Sequence, residues 1–102
     1  MGAPEAKIEN YLRRRVREEG GLIRKARWIG RRGAADNIVV WEYPRFAYVE
    51  CKREGEVVDG DSPQGRGIKR LRALGYPVYV VNSKPAVDRM IAELVNLKLI
   101  HR

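Results

Sequence analysis

The sequence predicts an α/β fold, a mixed β-sheet flanked by helices, with its elements in the order α-β-β-β-α-β-α. Two observations carry this prediction. Apolar residues recur at helical spacing near both ends of the chain and once between them, whereas β-branched and aromatic residues form short runs in the middle. Glycine and proline separate these segments, and no segment repeats another.

The first element is a helix, predicted over residues 4–19. Its apolar residues recur every four positions and therefore share one face. They are Ile8, Leu12 and Val16. Gly20-Gly21 follows, and glycine is the residue that most often ends a helix, so the helix is expected to stop there.

Three strands are predicted next. Residues 22–29 (LIRKARWI) alternate imperfectly, whereas residues 37–43 (NIVVWEY) contain three β-branched residues in a row and indicate a buried strand. Pro44-Arg45 is typical of a tight turn, and residues 46–52 (FAYVECK) form the returning strand. The second and third strands are therefore expected to pair as an antiparallel hairpin.

The second half of the chain predicts a loop, a helix, a strand and a last helix. Residues 53–62 are polar, and we expect a loop with nothing to bury. A helix begins at Pro63 and ends before Gly75. Its apolar residues, expected on one face, are Ile68, Leu71 and Leu74.

The last strand, residues 76–81 (YPVYVV), follows a helix and cannot form a tight hairpin with its predecessor. It is therefore expected to lie parallel to one of the hairpin strands. Ser83 is the predicted N-cap of the final helix. The apolar face of that helix is predicted to contain Val87, Ile91 and Leu94.

Composition limits the class of protein. The 102 residues suffice for a single domain, 1–102, and carry a formal net charge of +8, which favours a polyanionic partner such as nucleic acid. A single cysteine and a single histidine exclude an internal disulfide, multi-cysteine zinc sites and Ser-His-Asp chemistry. No signal-peptide core or membrane-spanning run is present, so an intracellular, soluble protein with no membrane partner and no small-molecule cofactor is expected.

Acidic and basic side chains converge near two of the predicted strands. Asp36 directly precedes the second strand, while Glu50 and Lys52 stand two positions apart near the end of the third. Because strand side chains alternate, Glu50 and Lys52 share a face, and an antiparallel partner would bring Asp36 beside Glu50. An ordinary surface salt bridge would also explain Glu50 and Lys52. Two carboxylates with an ammonium suit phosphodiester hydrolysis assisted by Mg²⁺, for which Mn²⁺ could substitute.

Three short motifs can be compared with known families. Residues 33–36 read G-A-A-D, residues 48–52 read Y-V-E-C-K, and Gln64 stands at the start of the following helix. They resemble the G-x-P-D loop, the hydrophobic E-x-K strand and the helix-opening glutamine of the stand-alone VRR-Nuc domain, a branch of the PD-(D/E)XK nuclease superfamily. The resemblance covers roughly residues 5–95. Ala35 replaces the family's proline, which makes the loop before the aspartate less rigid.

The resemblance implies a restriction-endonuclease-like core and a role for each matched residue. Asp36 and Glu50 would be metal ligands together with the main-chain carbonyl of Cys51. Lys52 would position the attacking water, and Gln64 would orient polar groups beside the site. For Gln64 the simpler explanation is a solvent-facing residue in the first turn of a helix.

A glutamate of the first helix would complete the ligand set. Relative to Ile8, Glu5 lies about 60° round the helix and Glu9 about 100°, so Glu5 is nearer the centre of the inward face. Glu5 is therefore the preferred metal ligand, and Glu9 is the reserve candidate. The alternatives are an acid that complements the helix dipole, for Glu5, and an ion pair with Arg13, for Glu9.

The implied activity is a Mg²⁺-dependent endodeoxyribonuclease, selective for branched DNA such as four-way (Holliday) junctions and working as a homodimer. The alternatives are a non-catalytic nucleic-acid-binding module that retains this fold and a basic interaction subunit. The residues expected to contact nucleic acid are Arg13, Arg14, Arg31, Arg32, Lys69 and Arg70. Trp28, Trp41 and Tyr76 are expected in the core, because aromatic residues in strands are more often buried than free to stack on bases.

Overall fold

The elements follow the predicted order. A computed structural model describes residues 5–25, 37–42 and 45–100, with side chains through residue 95. The helices are α1 (Ala6–Glu18), α2 (Pro63–Ala73) and α3 (Lys84–Ile100), and the strands are β1 (Leu22–Lys25), β2 (Asn37–Trp41), β3 (Arg45–Cys51) and β4 (Val78–Val81). Within these ranges no helix is long and apolar enough to span a membrane.

The four strands form one mixed sheet in the order β1-β2-β3-β4. β2 and β3 are antiparallel, with Asn37 opposite Val49, which confirms the predicted hairpin. β4 lies parallel to β3, with Val80 beside Glu50, as expected for a strand that returns through a helix. β3 is therefore a central strand with a neighbour on each side.

Helices cover the two faces of the sheet unequally. α1 and α3 pack on one face, where the main core forms from residues of both helices and of all four strands. α2 packs on the other face through Ile68, which contacts Val78 in a second, smaller cluster. Residues of the main core include Ile8, Leu12, Val16, Val39, Val49, Val81, Val87, Ile91 and Leu94. The predicted apolar faces of α1 and α3 are thus confirmed.

Local signals set the helix ends. Gly20 has φ of 81°, and the N–H groups of Gly20 and Gly21 donate to the carbonyls of Arg17 and Val16, the pattern of a Schellman motif. Gly75 has φ of 92° and ends α2 in the same way. The hydroxyl of Ser83 accepts from the N–H of Ala86 at 3.1 Å, which confirms the predicted cap of α3.

Two predictions about the α2 region are wrong. Leu74 does not lie on the buried face of α2. It is the C-cap residue of the helix and is 69% exposed, because the chain turns away there toward β4. The loop at residues 53–62 does bury apolar surface, since Val58 packs against the cluster of Ile68 and Val78. Sequence periodicity could not show this, because the contact is between an irregular segment and a distant sheet.

Candidate active site

Glu50 and Lys52 stand where the central strand leaves the sheet. Glu50 is 6% exposed and lies beside Val80 on the face that α2 covers. Lys52 follows the end of β3, and its main-chain N–H donates to the carbonyl of Val81 at 2.9 Å. This bond extends the β3–β4 ladder past Cys51, so the backbone that carries the half-buried Lys52 is held in the strand direction.

A second buried polar side chain, that of Asn37, lies on the neighbouring strand β2, opposite the residue that precedes Glu50. Asn37 is fully buried and pairs with Val49; with Glu50 it makes up the buried polar residues of the described chain. Its amide donates to a carboxylate oxygen of Glu9 at 3.3 Å and lies 3.8 Å from the sulfur of Cys51. Asp36, the predicted ligand that precedes Asn37, falls outside the described residues.

Glu9 connects α1 to the sheet. Its carboxylate accepts from the ammonium of Lys25 at 2.7 Å and from Asn37, and it pairs with Arg13 at 3.4 Å. Partial burial by itself would raise the pKa of Glu9, but the hydrogen bonds from Lys25 and Asn37 and the nearby positive charge outweigh it and lower the pKa. Glu9 is therefore held as a carboxylate at neutral pH.

Glu5 occupies a different position. It is half-buried at the N-terminus of α1, and its side chain makes no capping hydrogen bond. The predicted ion pair of Glu9 with Arg13 is present, but Glu9 also reaches the sheet through Asn37. Sequence reasoning overlooked Asn37 and Lys25 as neighbours of this glutamate. A polar residue at the head of a buried apolar strand was the available signal for Asn37.

Gln64 lies in the first turn of α2 and is half-buried. That turn is held by Ser62, whose hydroxyl accepts from the N–H of Gly65 at 3.0 Å and donates to the carbonyl of Asp59 at 2.6 Å. Beside this first turn of α2, a groove of about 390 Å³ lies between α2, the preceding loop and β4. Lys69 and Arg72 contribute to its wall, as does Val80, the strand neighbour of Glu50.

The predicted nucleic-acid-binding residues are divided between the two sides of the sheet. Lys69 and Arg70 are exposed on α2, on the Glu50 side. Arg13 and Arg14 belong to α1, on the opposite side. Arg13 is engaged by Glu9, and Arg14 pairs with Glu18 at 3.8 Å. Arg31 and Arg32 fall outside the described residues.

Comparisons with known proteins agree with this architecture. No protein-family model matches the chain. The protein named "Putative nuclease p44" of Acyrthosiphon pisum secondary endosymbiont phage 1 is 40% identical over 81 residues, which make up 78% of this chain and 84% of that protein. A solved structure titled "VRR_NUC domain" has a TM-score of 0.78 and 34% identity, and the match covers 89% of this chain and 97% of that one. The chain belongs to the VRR-Nuc family. It is a nuclease domain, and its substrate class is nucleic acid.

The donor atoms of this VRR-Nuc domain suit a hard divalent cation. Glu50 offers carboxylate oxygens, whereas the sulfur of Cys51 is buried beside Asn37. Within the described residues no three potential metal-ligating side chains gather in one place. Oxygen donors of this kind fit Mg²⁺ or Mn²⁺ better than a metal that prefers sulfur or imidazole.

Proposed function

We propose that this VRR-Nuc domain is a metal-dependent endonuclease that hydrolyses phosphodiester bonds of branched DNA, with four-way junctions as substrates and a homodimer as the working form. The observation that carries the proposal is the buried carboxylate of Glu50 beside the exit of the central strand, with Lys52 two residues further on. A carboxylate held out of water at the end of a central strand, two residues from an ammonium group, is typical of a functional position.

The ligands we propose are Asp36, Glu50 and the main-chain carbonyl of Cys51. The support for Asp36 is its position one residue before Asn37, whose partner Val49 is one residue before Glu50. A divalent ion, when bound, would supply stabilisation of the negative charge that builds up on the reacting phosphate.

Of the two first-helix glutamates, we favour Glu9 over Glu5 as the residue that supports the site from the α1 side of the sheet. Its carboxylate contacts Asn37, the neighbour of Asp36 in the chain, whereas Glu5 makes no capping hydrogen bond and stands one turn further from the sheet contacts of α1. Lys25 and Arg13 keep Glu9 ionised and oriented. Replacing each glutamate by glutamine tests which of them the activity requires. We expect Glu9→Gln to lower nuclease activity strongly and Glu5→Gln to lower it little.

Lys52 and Gln64 act on the water and the phosphate in this proposal. The ammonium of Lys52 makes no ion pair with another described residue, so it is available to orient the attacking water by hydrogen bonding. Gln64 lies in the first turn of α2, on the same side of the sheet as Glu50, and would donate to a phosphate oxygen. Lys69 and Arg70, on the same helix, would bind the backbone of the substrate.

The symmetry of the proposed substrate is the reason for proposing a homodimer. Two symmetric cuts in a four-way junction need two active sites related by a two-fold axis. Sedimentation of the purified protein tests this part by itself, since a chain that stays monomeric at the concentrations of the cleavage assay would contradict it.

The cleavage experiment compares a labelled four-way junction with its matched linear duplex, in Mg²⁺, Mn²⁺ or EDTA. We expect metal-dependent cutting of the junction by wild type and a loss of at least about 100-fold in Lys52→Ala. Lys84→Ala is the matched control, because it removes the same charge from the start of α3 and should retain activity. Cutting in EDTA would contradict the metal requirement, and equal cutting of both substrates would contradict junction selectivity. Binding without cutting in any metal would favour the non-catalytic module.

A further inference from the structure

Three aromatic rings contact one another on the α2 side of the sheet. Phe46 and Tyr48 belong to β3, and Tyr76 lies in the connection between α2 and β4. Their centroids are 5.9 Å apart for Phe46 and Tyr48, 6.4 Å for Phe46 and Tyr76, and 6.2 Å for Tyr48 and Tyr76. We call these residues the aromatic cluster. The prediction that Tyr76 lies in the core is wrong, since it is 45% exposed, and Phe46 is 38% exposed.

The environment of a core aromatic residue, Trp41, differs from that of the aromatic cluster. Trp41 is 6% exposed, and its indole N–H donates to the carbonyl of Glu19 at 3.1 Å, which confirms the prediction for that residue. Trp28 falls outside the described residues. In the aromatic cluster, Tyr48 packs against the apolar cluster of Ile68 and Val78, while Phe46 and Tyr76 remain partly exposed to solvent. The rings are therefore supported by the fold but are not covered by it.

The aromatic cluster shares a strand face with Glu50. Phe46, Tyr48 and Glu50 are spaced two residues apart on β3, so they point to the same side of the sheet. At about 3.3 Å per residue, Tyr48 lies roughly 7 Å and Phe46 roughly 13 Å along the strand from Glu50. A nucleic-acid strand cut at Glu50 and running along β3 would pass directly over these rings.

Charge on this face favours nucleic acid over another copy of the protein. Of the described strand residues on this face, Glu50 is the acidic one; the others are Leu22, Arg24, Ile38, Val40, Phe46, Tyr48, Val78 and Val80. Arg24 is in the cross-strand row of Tyr48, and Arg72 lines a depression together with Tyr76. Two copies meeting here would bring together like charges from chains that each carry +8, whereas phosphates would neutralise them.

We propose that Phe46, Tyr48 and Tyr76 form a stacking platform for unpaired bases next to the scissile phosphate. Exposed aromatic rings bind unpaired bases through their faces without regard to sequence, and bases within a duplex are not available for such contacts. Among branched substrates, the platform would then favour those in which nucleotides next to the cut are unpaired. This inference rests on the proposed function, because it uses Glu50 to locate the reacting phosphate.

The test measures binding in EDTA, where no cleavage is required. Affinity is determined by fluorescence anisotropy for a labelled single-stranded oligonucleotide and for the duplex of the same sequence. We expect Phe46→Ala and Tyr76→Ala each to weaken single-strand binding about 5- to 100-fold and duplex binding less than about 2-fold. Tyr76→Phe, which keeps the ring, should bind as wild type does. Leu74→Ala is the matched control, because it truncates an exposed apolar side chain outside the aromatic cluster.

Stacking has its own spectroscopic signature. A 2-aminopurine base in the single strand should lose fluorescence on binding to wild type and to Tyr76→Phe, and should keep it with Tyr76→Ala. Equal loss of affinity for single strand and duplex would overturn the proposal, as would conversion of a dimer to a monomer by Phe46→Ala in sedimentation. A wild-type protein that binds and quenches single strands yet never cuts would contradict the proposed function and leave the platform supported.

Discussion

Gly65 offers the sharpest test of how α2 is positioned beside the site. A Cβ on Gly65 would overlap the carbonyl oxygen of Asp59 and would lie 2.8 Å from the Cα of Gly60. Both are main-chain atoms, so no side-chain rotation can relieve the overlap. The loop has to move away from the helix if Gly65 is replaced by alanine.

Two opposing effects set the magnitude for Gly65→Ala. Alanine is favoured over glycine in a helix interior by about 1 kcal/mol, and by less in the first turn, where Gly65 lies. Against this gain, overpacking costs about 1–3 kcal/mol, and displacement of Asp59 also disturbs the Ser62 cap, which is worth about 1 kcal/mol. The cost of the overlap should exceed the gain in helix propensity, so the free energy of unfolding should fall by about 2 kcal/mol.

Urea unfolding and a thermal melt both measure this loss. For a domain of this size, about 2 kcal/mol corresponds to a fall of roughly 10 °C in Tm. Arg70→Ala is the control, because it changes an exposed side chain of the same helix and should alter stability by less than about 0.5 kcal/mol. If Gly65→Ala instead stabilised the protein, helix propensity would dominate and the close packing of the loop on α2 would be refuted.

Three further predictions concern ionisation and packing. The folded-state pKa of Glu9 lies below its usual 4.5, so its contribution to stability is full above that value and is lost as pH falls through the lower pKa. Glu9→Gln should therefore flatten the acid side of the stability–pH curve measured by urea unfolding, and an unchanged curve would contradict this. Burial and a hydrogen bond to Glu93 raise the pKa of Tyr79 to about 12; Tyr79→Phe should lower the phenolate absorbance that appears near that pH by the share of one tyrosine, and an unchanged titration curve would contradict this. Ile91→Ala, at a core position 1% exposed, should cost about 2–5 kcal/mol of unfolding free energy, whereas Leu22→Ala, 56% exposed, should cost under about 0.5; similar losses would disprove the assigned core.

Local chemistry explains why most of the fold was predictable. Helix ends depend on a few adjacent residues, as at Gly20, Gly75 and Ser83, and strand pairing followed from the length of each connection. The E-x-K motif could also be located, since alternation on a strand puts Glu50 and Lys52 on one side without any knowledge of the rest of the chain. The family was recognisable from motifs of this local kind.

Contacts between distant segments could not be predicted in the same way. The helical wheel placed Glu5 closer to the inward face than Glu9, but the packing of α1 on the sheet brings the Glu9 carboxylate to Lys25 and Asn37. Leu74 and Tyr76 continue apolar runs yet remain exposed, because the chain turns away at the end of α2 toward β4.

The amino-acid sequence by itself determined the order of the elements, the hairpin, the parallel last strand and the residue types of the candidate site, because each depends on neighbours in the chain. Only the tertiary structure decided the burial of Glu50, the partners of Glu9 and the exposure of the rings beside β3. Those properties depend on how helices and loops cover the sheet, and this coverage results from packing between residues far apart in the chain.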